Sequence, residues 1–413
     1  MIALPLSEIE PLGRVQARPW AKEITGLKID SRLVEEGDLF VAVGESGADF
    51  IPHAFARGAD AVLEPDDAHA ALAAIAGAVR RRSSAKVVAI TGSTGKTTTK
   101  DILAALCRSQ RSTIASEANF NNELGVPLTL GRIEPDTEIC IAEMGMRGPG
   151  QIDWLARFTE PDVALITNVG PVHLEFLGSV ENVAKAKAEL LAHVRPRGVA
   201  VVPDDPLLDP YLTRTDIEIR RFGRSTRDGR FQVGGRTITL QTSFTAPHQF
   251  DNLLAALIVC DALGVEIRDG RLDVDFSPLR EEEHELAHGV LLLNDSYNAN
   301  PVSMRAALEN AAGRAAGRRV FAVLGTMAEL GTDSVRYHRE IGEHVAQFGV
   351  GQLIAVGEAA RDYDTGAVPT TWFPTAAEAA EAIPDMVEPH DVVLVKGSRS
   401  VGLEAVAAKL RGE

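Results

Sequence analysis

Short, wholly apolar runs separated by longer amphipathic stretches dominate the chain, and each predicts one element. The run Asp38-Leu39-Phe40-Val41-Ala42-Val43 reads as a strand, and the Ala-rich stretch that follows reads as a helix ending in the polar cluster Arg80-Arg81-Arg82-Ser83-Ser84, a linker by composition. Lys86-Val87-Val88-Ala89-Ile90 is a short apolar strand entering a Gly-rich turn, after which a helix is expected over 97–108. Apolar runs at 138–143, 163–168 and 198–202 then alternate with helical stretches, the pattern of repeated β-α units with a parallel sheet. Such sheets hold their ligands at the carboxyl ends of the strands. After Gly264 the pattern restarts, with strands at 290–293, 319–324, 353–356 and 392–395, each followed by a helix. The expected fold class is α/β in three domains, over 1–84, 85–265 and 266–413, without internal repeats.

A length of 413 residues agrees with several domains, and 45% hydrophobic residues with only 5% aromatic ones suits helices packed on parallel sheets. The formal net charge of -16 repels nucleic-acid backbones and anionic lipids, so no nucleic-acid partner is expected. Any phosphate-bearing ligand must then be held by local Lys, Arg and backbone N–H groups. Cys107, Cys140 and Cys260 lie far apart with no Cys-x-x-Cys pair, and read as buried thiols rather than a disulfide framework or zinc site. The N-terminal stretch lacks a basic region, and no run reaches about eighteen apolar residues, so neither a transmembrane segment nor export is expected and the compartment reads as cytoplasmic.

The Gly-rich turn carries the first chemistry. In Thr91-Gly92-Ser93-Thr94-Gly95-Lys96-Thr97-Thr98-Thr99 the glycines expose backbone amides, Lys96 can reach terminal phosphates, and the Thr97 hydroxyl can ligate magnesium. The helix that starts there adds the positive end of its dipole. Ile90 stands where the longer common pattern has a glycine, so the match is to a shorter Gly-x-x-Gly-Lys-Thr loop. Glu143 ends an apolar strand at the ligand-binding edge, where a hard cation would want oxygen, yet alone it reads equally as a capping or surface carboxylate. Thr167-Asn168-Val169-Gly170-Pro171-Val172-His173 ends the next strand, and its histidine is by itself more often structural than a ligand. Lys185, Lys187 and Glu189, on a helix expected over 180–194, read by composition as a solvated face.

Taken together, the stretches TGSTGKTTTK, ANFNNELGVPLTL, AEMGMRGPGQI, TNVGPVHLEFLGSVENVAKAKAEL, HQFDNLLAA, NDSYNANPVSMRAAL and LVKGSRSVGLE resemble the Mur ligase family, which builds the peptide of bacterial cell-wall precursors. They cover all three expected domains. The Asn-rich loop and Asp295-Ser296-Tyr297-Asn298-Ala299-Asn300-Pro301 are most similar to the branch that adds D-alanyl-D-alanine to UDP-N-acetylmuramoyl-tripeptide.

The resemblance implies a small first domain binding UDP, a central ATP-binding domain with the phosphate loop, and a Rossmann-like third domain. It implies ATP and magnesium as cofactors, with ATP on Gly92, Ser93, Thr94, Gly95, Lys96, Thr97 and Thr98, adenine on Asn252, and phosphates and ribose reached by Arg280 and Asp295. Magnesium falls to Thr97, Glu143 and His173, and to Lys187 if it is carbamylated, since a plain lysine would repel the cation. Lys96, Glu143, His173 and Lys187 are the implied catalytic set. Ser31 and Arg32 resemble the uridine-diphosphate site, and Asn119, Asn121, Asn122, Tyr297, Asn298 and Asn300 are the implied contacts of the muramoyl-tripeptide and of D-Ala-D-Ala. The chain departs from the family pattern at Ala48, Gln249, Leu279 and Thr326. A monomer is expected. Two alternatives stay open: a sister ligase that adds a single amino acid, and a nucleotide-binding module without ligase activity. Amine-dependent phosphate release would exclude the second, while the Asn-rich loop and the Asp295–Pro301 motif argue against the first.

Overall fold

The computed structural model describes residues 1–118 and 120–413; Asn119, one of the expected substrate contacts, lies outside the described residues. Four β-sheets of three or more strands organise the chain into three bodies. In the first, Gly13–Ala17 pairs antiparallel with Ala61–Pro65, which continues in parallel through Asp38–Val41 to Gly26–Lys28. The central body holds a six-stranded sheet in the order Glu218–Phe222, Val199–Pro203, Val163–Ile166, Lys86–Thr91, Ile139–Glu143, Thr113–Ala115, every pair parallel. The four inner strands, buried on both faces, read as continuous apolar runs, which is why the sequence exposes them so clearly.

A smaller three-stranded sheet, Arg230–Val233, Arg236–Thr242 and Gly270–Leu272, extends the central body. By sheet membership residues 266–272 stay with that body, although the boundary expected at 265/266 assigned them to the third. The third body is another six-stranded sheet, Glu282–Glu285, Leu291–Asp295, Val392–Lys396, Val320–Gly325, Val350–Val356 and Thr370–Phe373, with only its first edge strand antiparallel. One continuous cluster of buried hydrophobic side chains runs through all three bodies, from Leu4 through Val87 to Leu293. Cys107, Cys140 and Cys260 are buried free thiols, as expected, and among the described residues no helix is long and apolar enough to cross a membrane.

Two expectations need correction. The arginine cluster is not a linker: the helix Ala68–Arg82 includes it, and Arg80 is fully buried. Its guanidinium donates to the carbonyls of Thr159, Glu160 and Ala85 and to Asp162 Oδ2 at 2.8 Å, so one side chain fastens the first body's last helix to the central sheet. Composition could not show this, because a buried arginine and a solvated one are the same letter. The lysine helix is likewise no solvated face. It runs Val180–Ala188, capped by Ser179, and tightens into a 3-10 turn over Glu189–His193. Lys185 is exposed, but Lys187 is 2% exposed, and Glu189 accepts from the Gly150 and Asp153 amides at the start of the helix Gln151–Thr159.

Arg80→Ala should cost about 3 kcal/mol of stability, because it removes the guanidinium from Asp162 and the donors of the Thr159, Glu160 and Ala85 carbonyls. Urea unfolding checks it; a midpoint equal to that of the unsubstituted chain would show that the guanidinium staple contributes nothing.

Candidate active site

The chain order of the central sheet reverses at Lys86–Thr91, which lies between Ile139–Glu143 on one side and Val163–Ile166 on the other. A crevice must open beyond that strand's carboxyl end. A cleft of about 1040 Å³ lies there, walled by the central and third bodies.

The phosphate loop forms its floor. Gly95 adopts φ 74, a left-handed turn that lets the helix Lys96–Arg108 begin, and a Cβ there would meet Asn252 Oδ1 at 2.6 Å. Asn252, expected at adenine, is thereby packed directly against the loop. The amides of Ser93 and Thr94 are committed to Asn168, at its carbonyl (3.1 Å) and its Oδ1 (2.9 Å). The amides left for a phosphate are those of the first helical turn, whose N–H groups have no intrahelical acceptor. Ser93 Oγ is held by Gly170, and Thr94 by Thr167 and Asn168. Asn168 is thus a loop brace that sequence reasoning did not single out, although it lies in a quoted motif. Gly92 is buried behind the loop, and the Lys96 ammonium donates to its carbonyl at 2.8 Å.

Glu143 is 1% exposed. Its Oε1 accepts from Thr97 Oγ1 at 3.1 Å and Asn121 Nδ2 at 2.8 Å, whereas its Oε2 is buried with no hydrogen-bond partner among the described residues. An unpartnered buried carboxylate oxygen costs about 1–3 kcal/mol or more, and a cation is the partner its chemistry calls for. No group of three or more His, Cys, Asp or Glu placed to hold a metal occurs among the described residues, so a cation here would draw on the Thr97 hydroxyl, Glu143, His173 and phosphate oxygens. That donor set suits a hard ion such as magnesium. Asn121, expected at substrate, also braces Glu143.

Lys96 lies within electrostatic reach of this carboxylate, and Arg280 and Lys187 lie within reach of Lys96. Burial lowers the Lys96 pKa; Glu143 opposes the shift and Arg280 adds to it. Burial, with Lys96 nearby, puts Lys187 well below its ordinary value. His173, at φ 53, lines the cleft, and burial lowers its pKa against the pull of Glu329, which receives its Nδ1 contact.

The third body supplies the opposite wall. Arg280 stacks on Tyr297 with its guanidinium 4.0 Å from the ring centroid. Leu279 and Glu281, which flank it, adopt φ 61 and φ 53, which accounts for the family's glycine at the first position; here leucine carries the strain. Asp295 pairs with Lys396, itself 2% exposed and donating to the Asn298 carbonyl at 2.9 Å. Burial raises the Asp295 pKa while Lys396 opposes it. Asn298 is exposed on the cleft, but Asn300 spends its side chain on the Ser303 amide as the cap of Pro301–Ala315, and Asn122 Oδ1 accepts from the Leu124 and Gly125 amides ahead of the helix Gly125–Leu130. His248 and Glu281 join the central and third bodies at 2.6 Å. Lys396, His248, Glu281 and Glu329 were not singled out from sequence, because each is defined by a partner in a distant segment.

Ser31 and Arg32 are not brought to this cleft. Ser31 is buried against His53 Nδ1 at 2.9 Å in the first body, and exposed Arg32 pairs with Asp30 in its own turn, whose carboxyl that contact holds at about 2.

Residues 90–260 match the Mur ligase middle domain, and residues 280–399 the Mur ligase, glutamate ligase domain. A UDP-N-acetylmuramoyl-tripeptide–D-alanyl-D-alanine ligase of Synechocystis sp. is 35% identical over 94% of this chain and 92% of its own length. Among solved structures, MurF from Acinetobacter baumannii superposes with a TM-score of 0.85 at 28% identity, covering 100% of this chain and 99% of that one. MurF ligase from Thermotoga maritima in complex with ADP gives 0.78 at 30% identity over 94% and 97% of the two chains.

Gly95→Ala should weaken nucleotide binding by about tenfold, the equivalent of forcing alanine into a left-handed turn, and more where Asn252 is displaced. Calorimetric titration with ADP reads this directly; an unchanged affinity would show that the turn at Gly95 does not shape the site.

Proposed function

The chain belongs to the Mur ligase family, and we propose that the cleft between its central and third bodies is where ATP, the tripeptide carboxylate and the D-Ala-D-Ala amine meet. The protein is an ATP-dependent ligase of peptidoglycan synthesis that joins D-alanyl-D-alanine to UDP-N-acetylmuramoyl-tripeptide. The observation that best supports the site assignment is the buried, unpartnered Glu143 Oε2 between the phosphate-loop threonine and the third-body wall.

A carboxylate is a poor acyl donor. A terminal carboxylate oxygen of the tripeptide attacks the γ-phosphorus of ATP and ADP leaves; the dipeptide amine then attacks the acyl carbon and phosphate leaves as the amide forms. In our reading Lys96 and the first-turn amides spread the charge of the transferring phosphoryl group. Magnesium held by Thr97, Glu143, His173 and a carbamylated Lys187 would supply further neutralisation of phosphate oxygens. Asn252 holds adenine, Asp295 the ribose and Arg280 the phosphates, while Tyr297 and Asn298 position the incoming dipeptide. Asn122 and Asn300 act by fixing their loops, since their side-chain oxygens accept from backbone amides of their own segments. Ser31 and Arg32 bind uridine diphosphate, for which Arg32 must release Asp30. Docking of the third body keeps water from the acyl phosphate. We read the enzyme as a cytoplasmic monomer divided near residue 84 and just beyond residue 272.

Buried and disfavoured as an ammonium, the Lys187 amine can attack carbon dioxide, forming a C–N bond and releasing one proton, which turns a cation into an oxygen ligand. Enzyme stripped of carbon dioxide should lose most of its activity and regain it with bicarbonate. Lys187→Ala should be about 100-fold slower and insensitive to bicarbonate; equal activity of stripped and replenished wild type would rule out the carbamate.

Phosphate release from ATP should require both UDP-N-acetylmuramoyl-tripeptide and D-Ala-D-Ala, with a product heavier by the dipeptide less water in mass detection. Turnover with a single amino acid in place of the dipeptide would reassign the substrate to that of a sister ligase.

A further inference from the structure

The third body reaches the candidate metal site through one side chain. Glu329 lies in the loop between the strand Val320–Gly325 and the helix Ser334–Gln347. Its Oε2 contacts His173 Nδ1, and its Oε1 lies 3.3 Å from Arg147 Nε, so one carboxylate spans two central-body residues. The contact is built rather than incidental. The Glu329 carbonyl accepts from the Glu175 amide at 3.1 Å, and a Cβ on Gly331 would stand 3.1 Å from Glu175 Cα, so the two backbones are in close apposition. Behind the loop, the Met327 amide donates to His338 Nε2 at 3.0 Å and the Ala328 amide to Ser398 Oγ at 2.9 Å. Glu329 and His173 both adopt left-handed backbone, φ 61 and φ 53, a conformation that costs a residue with a Cβ about 1–2 kcal/mol and persists only where surrounding contacts impose it.

An imidazole whose Nδ1–H is donated to a carboxylate keeps its lone pair on Nε2, and carboxylates commonly orient histidine ligands in this way. We infer that Glu329 is a positioning residue that fixes the tautomer and direction of His173, so that the metal site is completed only when the third body is docked. This rests on the reading of His173 as a magnesium ligand. Because the coupling is a free energy between two sites, it must also run backwards: a cation at the site must tighten the docked loop.

The test uses the full chain with ADP and Mn²⁺ as the probe, comparing wild type with Glu329→Ala, Glu329→Gln and His173→Ala. Three readouts are taken: Mn²⁺ affinity by electron paramagnetic resonance, the His173 tautomer by nitrogen-15 NMR of histidine-labelled protein, and hydrogen exchange of residues 327–331. The expected result is an Nδ1–H tautomer in wild type that is lost in Glu329→Ala. Mn²⁺ binding should weaken about 10–100-fold in that variant and less in Glu329→Gln, which keeps the shape and an acceptor. Mn²⁺ with ADP should slow exchange of the loop in wild type only. If His173→Ala weakens Mn²⁺ binding while both Glu329 variants bind as wild type, the coupling is wrong and the site reading stands. If His173→Ala binds Mn²⁺ as wild type does, the site reading fails and the coupling with it.

Discussion

A carboxylate oxygen buried without a partner is the constraint around which the cleft is arranged. Glu143 sits at the end of a central strand, and its position is over-determined: its amide donates to Ser116 Oγ, and its Oε1 is fixed by Thr97 and Asn121. Nothing of comparable strength reaches Oε2 among the described residues. Burying charge in this state opposes folding. The surroundings answer with Lys96, a cation itself disfavoured by burial, while Lys187 nearby is disfavoured as an ammonium, so the site is an unbalanced set of charges in a chain that is otherwise strongly acidic. A triphosphate and a divalent ion complete that balance in a way no rearrangement of the side chains can.

The same constraint explains the division of labour between the bodies. The central sheet supplies rigid placement: a phosphate loop braced by Asn168 and Gly170, and a carboxylate on a strand end. The third body supplies groups that act only when docked: Arg280 over Tyr297, Asp295 against Lys396, and Glu329 on His173. At the far end, His248 and Glu281 make a second crossing, in which burial disfavours the imidazolium but the facing carboxylate outweighs it and raises its pKa. Charged pairs that cross a hinge break without unfolding either partner, which suits a cleft that must admit a nucleotide and still exclude water.

What could be read from the sequence follows from this arrangement. The phosphate loop and the parallel strands were legible because their signals are local: a nine-residue turn motif and apolar runs bounded by turns. Glu143 and His173 were legible only as strand-end residues, and the family resemblance weighted them. Lys187 was misjudged from composition, since a lysine on a short helix carries no local sign of being 2% exposed. Asn122 and Asn300 were expected at substrate from the resemblance; their local bonds, Asn122 to the Gly125 amide and Asn300 to the Ser303 amide, could not be read from the motif letters. Glu329 gave no signal at all, being 156 residues from the histidine it touches.

Four of the ten non-glycine residues with positive φ among the described residues lie around this cleft. Non-glycine residues in left-handed conformation include His173 and Glu329, which face each other, and Leu279 and Glu281, which bracket Arg280. Each costs energy that an unconstrained loop would relax. Leu279 stands where the expected family pattern has glycine, and its φ 61 is the kind of backbone that glycine adopts without strain. The turn is held by contacts of its own, the Leu279 carbonyl accepting from the Tyr297 amide at 3.1 Å and the Leu279 amide donating to Glu282 Oε1 at 2.8 Å, and it sets Arg280 over the Tyr297 ring where the guanidinium borders the cleft.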